Sequence, residues 1–338
     1  MKTTFAGIEM GSQEFADEIG GSLRRVEDLL IAELSSGEDF LTEAATHLAK
    51  AGGKRFRPLF ALLSAHFGTR PQADEVVTAA TVIELIHLAT LYHDDVMDEA
   101  TMRRGAVSAN ARWGNSVAIL AGDFLFARAS RLVSTLGPQS VLIIADTFAE
   151  LVTGQMRETI GSTSGKTPVD HYLTVVWEKT AVLISAAGRF GAMTSGADDI
   201  TVDRLARLGG IVGTAFQVSD DIIDIRSESG ESGKTPGTDL REGVHTLPVL
   251  YALDEPGAEG TRLRELLLTP SGERRALTDD DEVAEALALL TASSGMAKAR
   301  ETLADYADRA YAELDALPDN DAKGAFTSLV GYTVDRVG

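Results

Sequence analysis

Two aspartate clusters of identical spacing stand far apart in the chain, Asp94-Asp95-Val96-Met97-Asp98 and Asp220-Asp221-Ile222-Ile223-Asp224. Each places carboxylates at i, i+1 and i+4, and on a helix the first and last of these share one face. Like charges at that spacing cost an isolated helix about 0.2–0.5 kcal/mol. Two such clusters set among apolar residues therefore point to a task rather than to a solvated face. The chemistry they suit is the binding of a hard divalent cation through oxygen ligands, opposite a phosphate-rich substrate.

Other groups extend this pattern. His87 precedes Asp94 by seven residues, close to two helical turns, so His87, Asp94 and Asp98 can address one cavity. Gln217, Asp220, Asp221 and Asp224 fall at i, i+3, i+4 and i+7. The cations are few but clustered, in Gly52-Gly53-Lys54-Arg55-Phe56-Arg57-Pro58 and in Arg103-Arg104-Gly105. Arginine offers bidentate hydrogen bonds to phosphate oxygens and lysine a compact charge, so these clusters can grip a diphosphate. The first lacks the G-x-x-x-x-G-K-[ST] spacing of a nucleotide-binding loop. Lys179-Thr180 lies in a helical segment and Lys234 in a glycine-rich stretch, and both read as surface residues unless their neighbours give them a role.

The elements that must hold these groups read as helices. From Ser12 to Gly196 apolar residues recur at three- and four-residue spacing, broken by Gly, Pro and polar clusters. Helices are expected to begin near Ser12, Glu38, Pro58, Ala73, Asn115, Gln139 and Val169, followed by one from Thr201 to Arg226. Runs such as Val141-Leu142-Ile143-Ile144 sit inside longer helical periods, so strands are nearly absent and the fold class is all-α. Ser227–Gly243 is rich in Gly, Ser and Pro, and directly after the second cluster it reads as a surface loop or an active-site flap. An apolar helix resumes at His245–Leu253, a polar irregular stretch runs from Asp254 to Asp281, and the helices after about Glu282 read as packing elements.

Composition narrows the function classes. A chain of 338 residues with 44% hydrophobic and 24% charged residues is globular. A net charge of −20 excludes a nucleic-acid binder that relies on a broad basic surface. With no cysteine the chain has no disulfide, thiolate nucleophile or cysteine-ligated metal, and it fits a cytoplasmic protein. No signal-type segment and no run of about 18 consecutive apolar residues is found, so membrane contact is expected to be peripheral at most.

In their order, these motifs resemble the trans-isoprenyl diphosphate synthases, also called the polyprenyl synthetase family. The matching pieces are GGKRFRP at 52–58, HLATLYHDDVMD at 87–98, RRG at 103–105, GDFL at 122–125, KT at 179–180, FQVSDDIID at 216–224 and GKTPGTDLREG at 233–243. One departure is Val244, where the family often has Lys. The resemblance implies a single all-α domain over 1–338, a helical bundle around a central cavity with its motifs within 52–248. It implies condensation of isopentenyl diphosphate with an allylic diphosphate to an all-trans polyprenyl diphosphate, by a homodimer.

Carried over residue by residue, the resemblance makes Asp94, Asp98, Asp220 and Asp224 ligands of Mg²⁺, three ions with substrate bound, supported by Asp95 and Asp221. Arg103, Lys179 and Lys234 take the allylic diphosphate; Lys54, Arg57, His87 and Arg104 hold the isopentenyl diphosphate; Thr180 and Gln217 contact the reacting carbons. In the family the fifth residue before the first aspartate commonly floors the product tunnel. Here it is Ala89, followed by Thr90, and the small side chain implies a medium- or long-chain product. The competing readings are a class I terpene cyclase, which usually carries an Asn/Ser/Glu-type second metal motif, and a non-catalytic partner subunit, which tends to lose one aspartate cluster.

Overall fold

The computed structural model describes residues 4–5, 8–35, 37–161, 165–226 and 236–337. The helices run α1 (Gln13–Leu34), α2 (Asp39–Lys50), α3 (Phe56–Ala65), α4 (Asp74–Met97), α5 (Ala109–Trp113), α6 (Asn115–Ser134), α7 (Pro138–Ile160) and α8 (Pro168–Val176). A π-helical turn, Trp177–Ala181, leads into α9 (Val182–Ser195). Then come α10 (Asp199–Arg226), α11 (Thr238–Glu242), α12 (Leu247–Leu253), α13 (Ala258–Leu267), α14 (Asp280–Ala292), α15 (Ser294–Asp315) and α16 (Asp321–Asp335). The only strands among the described residues form two-residue antiparallel pairs, β1 (Thr4–Phe5) with β2 (Ile8–Glu9) and β3 (Met102–Arg103) with β4 (Ala106–Val107).

The helix starts follow local chemistry. Ser12 caps α1 by accepting from the Phe15 amide, Thr167 caps α8 from the Asp170 amide ahead of Pro168, and Asp279 caps α14. The region expected to be irregular, 254–281, instead contains α13. Its Leu263, Leu266 and Leu267 are buried on one face, although the helix is too polar elsewhere for a periodic signal to stand out.

By its packing the chain divides into two compact units. One comprises Met1–Leu151, Val182–Gly210 and Glu313–Ser328; the other comprises Val152–Ala181, Ile211–Ala312 and Leu329–Gly338.

In the first unit α4 is the central helix, packed by α1, α3, α6 and α9. It is apolar around most of its circumference, as a helix surrounded by others must be. By length and composition it is apolar enough to cross a membrane, yet 72% of its most apolar window is buried within the fold. Close approach of α9 to α3 depends on glycine, since a Cβ at Gly191 would lie 1.9 Å from the Ala61 carbonyl oxygen.

The second unit has its own core, in which Val218, Ile222 and Ile225 of α10 pack with Leu247, Leu266, Leu277, Leu290, Leu303 and Val337. Each fully buried leucine there contributes about 1.5–3 kcal/mol through removal from water.

Candidate active site

The first unit collects one half of the expected site residues at the C-terminal end of α4. Asp94 is half-buried, Asp98 is exposed, and the Asp98 amide donates to the Asp94 carbonyl at 2.8 Å, so the helix persists up to the cluster and ends there. Asp95 points inward, fully buried, and one carboxylate oxygen accepts from Arg103 Nε at 2.6 Å. Its other oxygen is buried without a hydrogen-bond partner. Burial raises its pKa, and the Arg103 hydrogen bond opposes that rise. Asp95 thus steers Arg103, while Asp94 and Asp98 remain the accessible pair. Tyr92, fully buried, donates to the Ala44 carbonyl at 2.5 Å and accepts from the Leu48 amide at 3.2 Å, which ties α4 to α2 just before the cluster.

Arg104 is aimed by backbone conformation. The β3–β4 hairpin turns on Arg104 and Gly105, both with positive φ (54° and 76°), as a two-residue primed turn requires. Arg104 Nη1 donates to the Gly52 carbonyl at 2.6 Å, and Nη2 reaches His87 Nε2 at 3.3 Å. Arg57, in the first turn of α3, reaches the same His87 Nε2 at 3.2 Å. A guanidinium can only donate, so Nε2 accepts from both and the imidazole is neutral with its proton on Nδ1. Burial and the surrounding arginines push the His87 pKa well below its ordinary value, in agreement. Burial likewise lowers Arg57 to about 10. Lys54 is exposed. A Cβ on Gly53 (φ +145°) would lie 3.0 Å from the Arg104 guanidinium, so the Gly-Gly pair lets the loop and the hairpin meet. The structure therefore brings Arg57, His87 and Arg104 together and leaves Lys54 exposed three residues before Arg57.

Ala89 has no accessible surface, and Thr90 is half-buried with its hydroxyl on the His87 carbonyl at 2.8 Å. One turn beyond Ala89, His93 sits against α6, where a Cβ on Gly122 would lie 2.4 Å from its Nε2.

The second unit holds the other half. Asp221 is 3% exposed; it accepts from Tyr172 Oη on one oxygen and from Gln217 Nε2 at 3.0 Å on the other. Thr180 Oγ1 donates to Gln217 Oε1 at 3.3 Å, extending the chain of contacts. Burial raises Asp221 to about 8, against the two hydrogen bonds. Asp220 is paired with Arg336 at 2.8 Å. Asp224 accepts from the Thr238 and Asp239 amides at 3.2 and 3.1 Å, at the N-terminus of α11, where a carboxylate is favoured. Lys179 lies in the π-helical turn and pairs with Glu158. Such turns recur at functional sites, and here α7 packs so closely that a Cβ on Gly154 would lie 2.7 Å from Glu178 Cβ. Lys234, and residues 227–235 of the expected flap, lie outside the described residues.

Four participants were not legible as such. Glu84 is a lone acid in the apolar run TVIELIHLATLY, three residues before His87, and that isolation was an available signal. Tyr172 and Glu27 gave none. Arg336 lies just past α16, in the C-terminal region read as packing elements, yet it pairs with Asp220, donates to Ser219 Oγ at 2.7 Å and stacks 4.3 Å from the Phe216 ring.

Among the described residues no group of three or more His, Cys, Asp or Glu side chains forms a closed metal cage. The donors are oxygens, offered one or two per cluster. That set fits a magnesium-like ion, which keeps waters and completes its shell with substrate phosphate.

Comparison with known proteins accords with this arrangement. A family model described as polyprenyl synthetase matches residues 38–290. The chain is 59% identical to nonaprenyl diphosphate synthase of Mycobacterium tuberculosis over 99% of its length and 98% of the relative. It is 45% identical to a dimethylallyltranstransferase of the same organism, over 97% and 98%. A crystal structure of geranylgeranyl pyrophosphate synthase from Corynebacterium glutamicum, complexed with calcium and isoprenyl diphosphate, superposes with a TM-score of 0.88 at 53% identity, covering 98% of this chain and 100% of that one. The all-α fold, the ordered motifs and these matches agree: the chain belongs to the polyprenyl synthetase family and is a prenyltransferase.

Proposed function

We propose that this protein condenses isopentenyl diphosphate with an allylic diphosphate to an all-trans polyprenyl diphosphate of medium or long chain. The observation that carries the reading is the half-buried Arg57–His87–Arg104 group, a set of guanidinium donors pre-aimed by a neutral imidazole and suited to one diphosphate. Asp94, Asp98, Asp220 and Asp224 would hold magnesium, three ions with substrate bound. When bound, magnesium neutralises charge on the departing diphosphate.

The chain's own residues orient and pre-pay. Arg103, fixed by Asp95, and Lys179 take the allylic diphosphate, so that charge separates against donors already in place. Gln217 and Thr180, aligned through Asp221 and Tyr172, present neutral polar groups where cationic carbon develops.

The test is an assay of purified protein with magnesium, isopentenyl diphosphate and allylic primers of several lengths, with products sized by chromatography. Elongated prenyl diphosphates are expected; cyclic hydrocarbons, or no product with any primer, overturn the reading. The same assay tests chain length. Ala89→Phe places a large ring at a fully buried position that the small alanine now holds and is expected to shorten the product by one or more isoprene units. An unchanged distribution from a folded variant removes Ala89 from length control.

We also propose a homodimer. Ile119 and Leu120 of α6 and Val141 and Leu142 of α7 are exposed at 42%, 64%, 40% and 58%, more apolar side chain than a solvated helix face needs. Sedimentation equilibrium should give twice the 35.9 kDa chain mass; a monomer at micromolar concentration refutes the proposal.

A further inference from the structure

Glu84 lies in the middle of α4, three residues before His87, with 2% of its surface accessible. A buried carboxylate is retained only if it is paired, because desolvation otherwise costs several kcal/mol. Its partners are Arg55 Nη1 at 3.1 Å and Arg104 Nη2 at 3.8 Å.

Arg55 is not free to bind substrate. Its backbone is left-handed (φ 48°), and its donors are spent on Glu27, on Glu84, and on the Gly52 and Ala49 carbonyls at 3.3 and 2.8 Å. It brackets the Gly52–Arg55 loop onto Glu84. Arg104 arrives from the hairpin and meets the same carboxylate. Arg57 makes no hydrogen bond to Glu84; its Nη1 is on His87 and its Nε is buried without a partner.

The charges explain why the carboxylate is needed. Arg55, Arg57 and Arg104 carry three positive charges; Glu27 and Glu84 carry two negative ones, and His87 is neutral. Arg104 lowers the affinity of Arg57 for its proton, and Arg55 and Arg103 do the same to Arg104, the mark of repulsion within the cluster. Glu84 is the fully buried anion that lets them stand side by side, and the one positive charge in excess is left for an anionic ligand. Glu27 is half-open to solvent and gives its hydrogen bonds to Arg55.

We propose that Glu84 is a positioning residue for diphosphate recognition, holding Arg55 and Arg104 so that Arg57, His87 and Arg104 keep the geometry that grips isopentenyl diphosphate. This rests on the function proposed above. Glu84 touches no substrate; it acts through the arginines.

The test is steady-state kinetics of Glu84→Gln, varying isopentenyl and allylic diphosphate separately at fixed magnesium. The KM for isopentenyl diphosphate is expected to rise about tenfold or more, as loss of a charge-assisted arrangement implies. The allylic KM and kcat at saturation should stay within about twofold, and Glu84→Asp should recover part of the loss. An unchanged isopentenyl KM, an equal rise in both KM values, or a fall in kcat alone overturns the proposal. Arg57→Gln, measured alongside, separates the two ways of failing. If it raises the isopentenyl KM while Glu84→Gln does not, the positioning role falls and the site stands; if it does not, the site assignment falls as well.

Should Glu84→Gln fail to fold, Arg55→Met/Glu84→Met removes the buried pair together, a change that interiors often tolerate. Glu27 remains solvated in that variant. A wild-type isopentenyl KM in the folded double variant refutes the proposal, and a raised one supports it.

Discussion

Asp94→Asn is expected to lower kcat by about 10³-fold with the fold intact, on the scale of losing a principal electrostatic stabiliser of a separating charge. The substitution keeps the shape and removes the charge. Of the three carboxylates in the first cluster, Asp95 is committed to Arg103, which leaves Asp94 and Asp98 as the pair proposed to hold a cation; the change halves that supply. Asp95→Asn should behave differently. Its loss acts through Arg103, so the expected effect is an increase of about tenfold in the allylic KM, the scale of one charge-assisted contact. Steady-state kinetics across a magnesium titration separates the two. Near-normal kcat in Asp94→Asn would remove it from the metal-binding set.

Gly191→Ala should destabilise the protein by about 3 kcal/mol or more, the upper range for overpacking a rigid contact. The sign is informative. On helix propensity alone, Gly→Ala in the middle of α9 would stabilise by about 1 kcal/mol. The packing argument wins because the new Cβ would meet a carbonyl oxygen at 1.9 Å, and a backbone oxygen cannot swing aside as a side-chain tip can. Gly188 and Gly209 face backbone oxygens at 2.3 and 2.4 Å in the same way. At about 2–4 °C per kcal/mol for a chain somewhat smaller than this, the melting temperature should fall by roughly 6–12 °C. A rise in melting temperature would show that α3 and α9 separate freely. Because Arg57 sits in the first turn of α3, any such separation should also raise the isopentenyl diphosphate KM.

What could be read from sequence was local. Helix starts near Ser12, Glu38, Ala73 and Asn115 lie within a residue of the observed ones, because capping residues and apolar period act over one or two turns. The aspartate spacing was equally legible. What stayed hidden depends on partners distant in sequence. Asp95 and Asp221 look equivalent to their neighbours until Arg103 and Tyr172 are seen to claim them. Arg55 looks like a phosphate ligand until Glu27 and Glu84 take its donors. The π-helical turn at Lys179 and the pairing of Arg336 with Asp220 carry no local signature at all.

The Arg336 contact bears on how the protein is born. Arg336 follows Ser219 by 117 positions, so at about 5–20 residues per second the ribosome delivers it on the order of ten seconds after the helix it braces. Through that interval Asp220 lacks the cation that pairs with it in the folded protein.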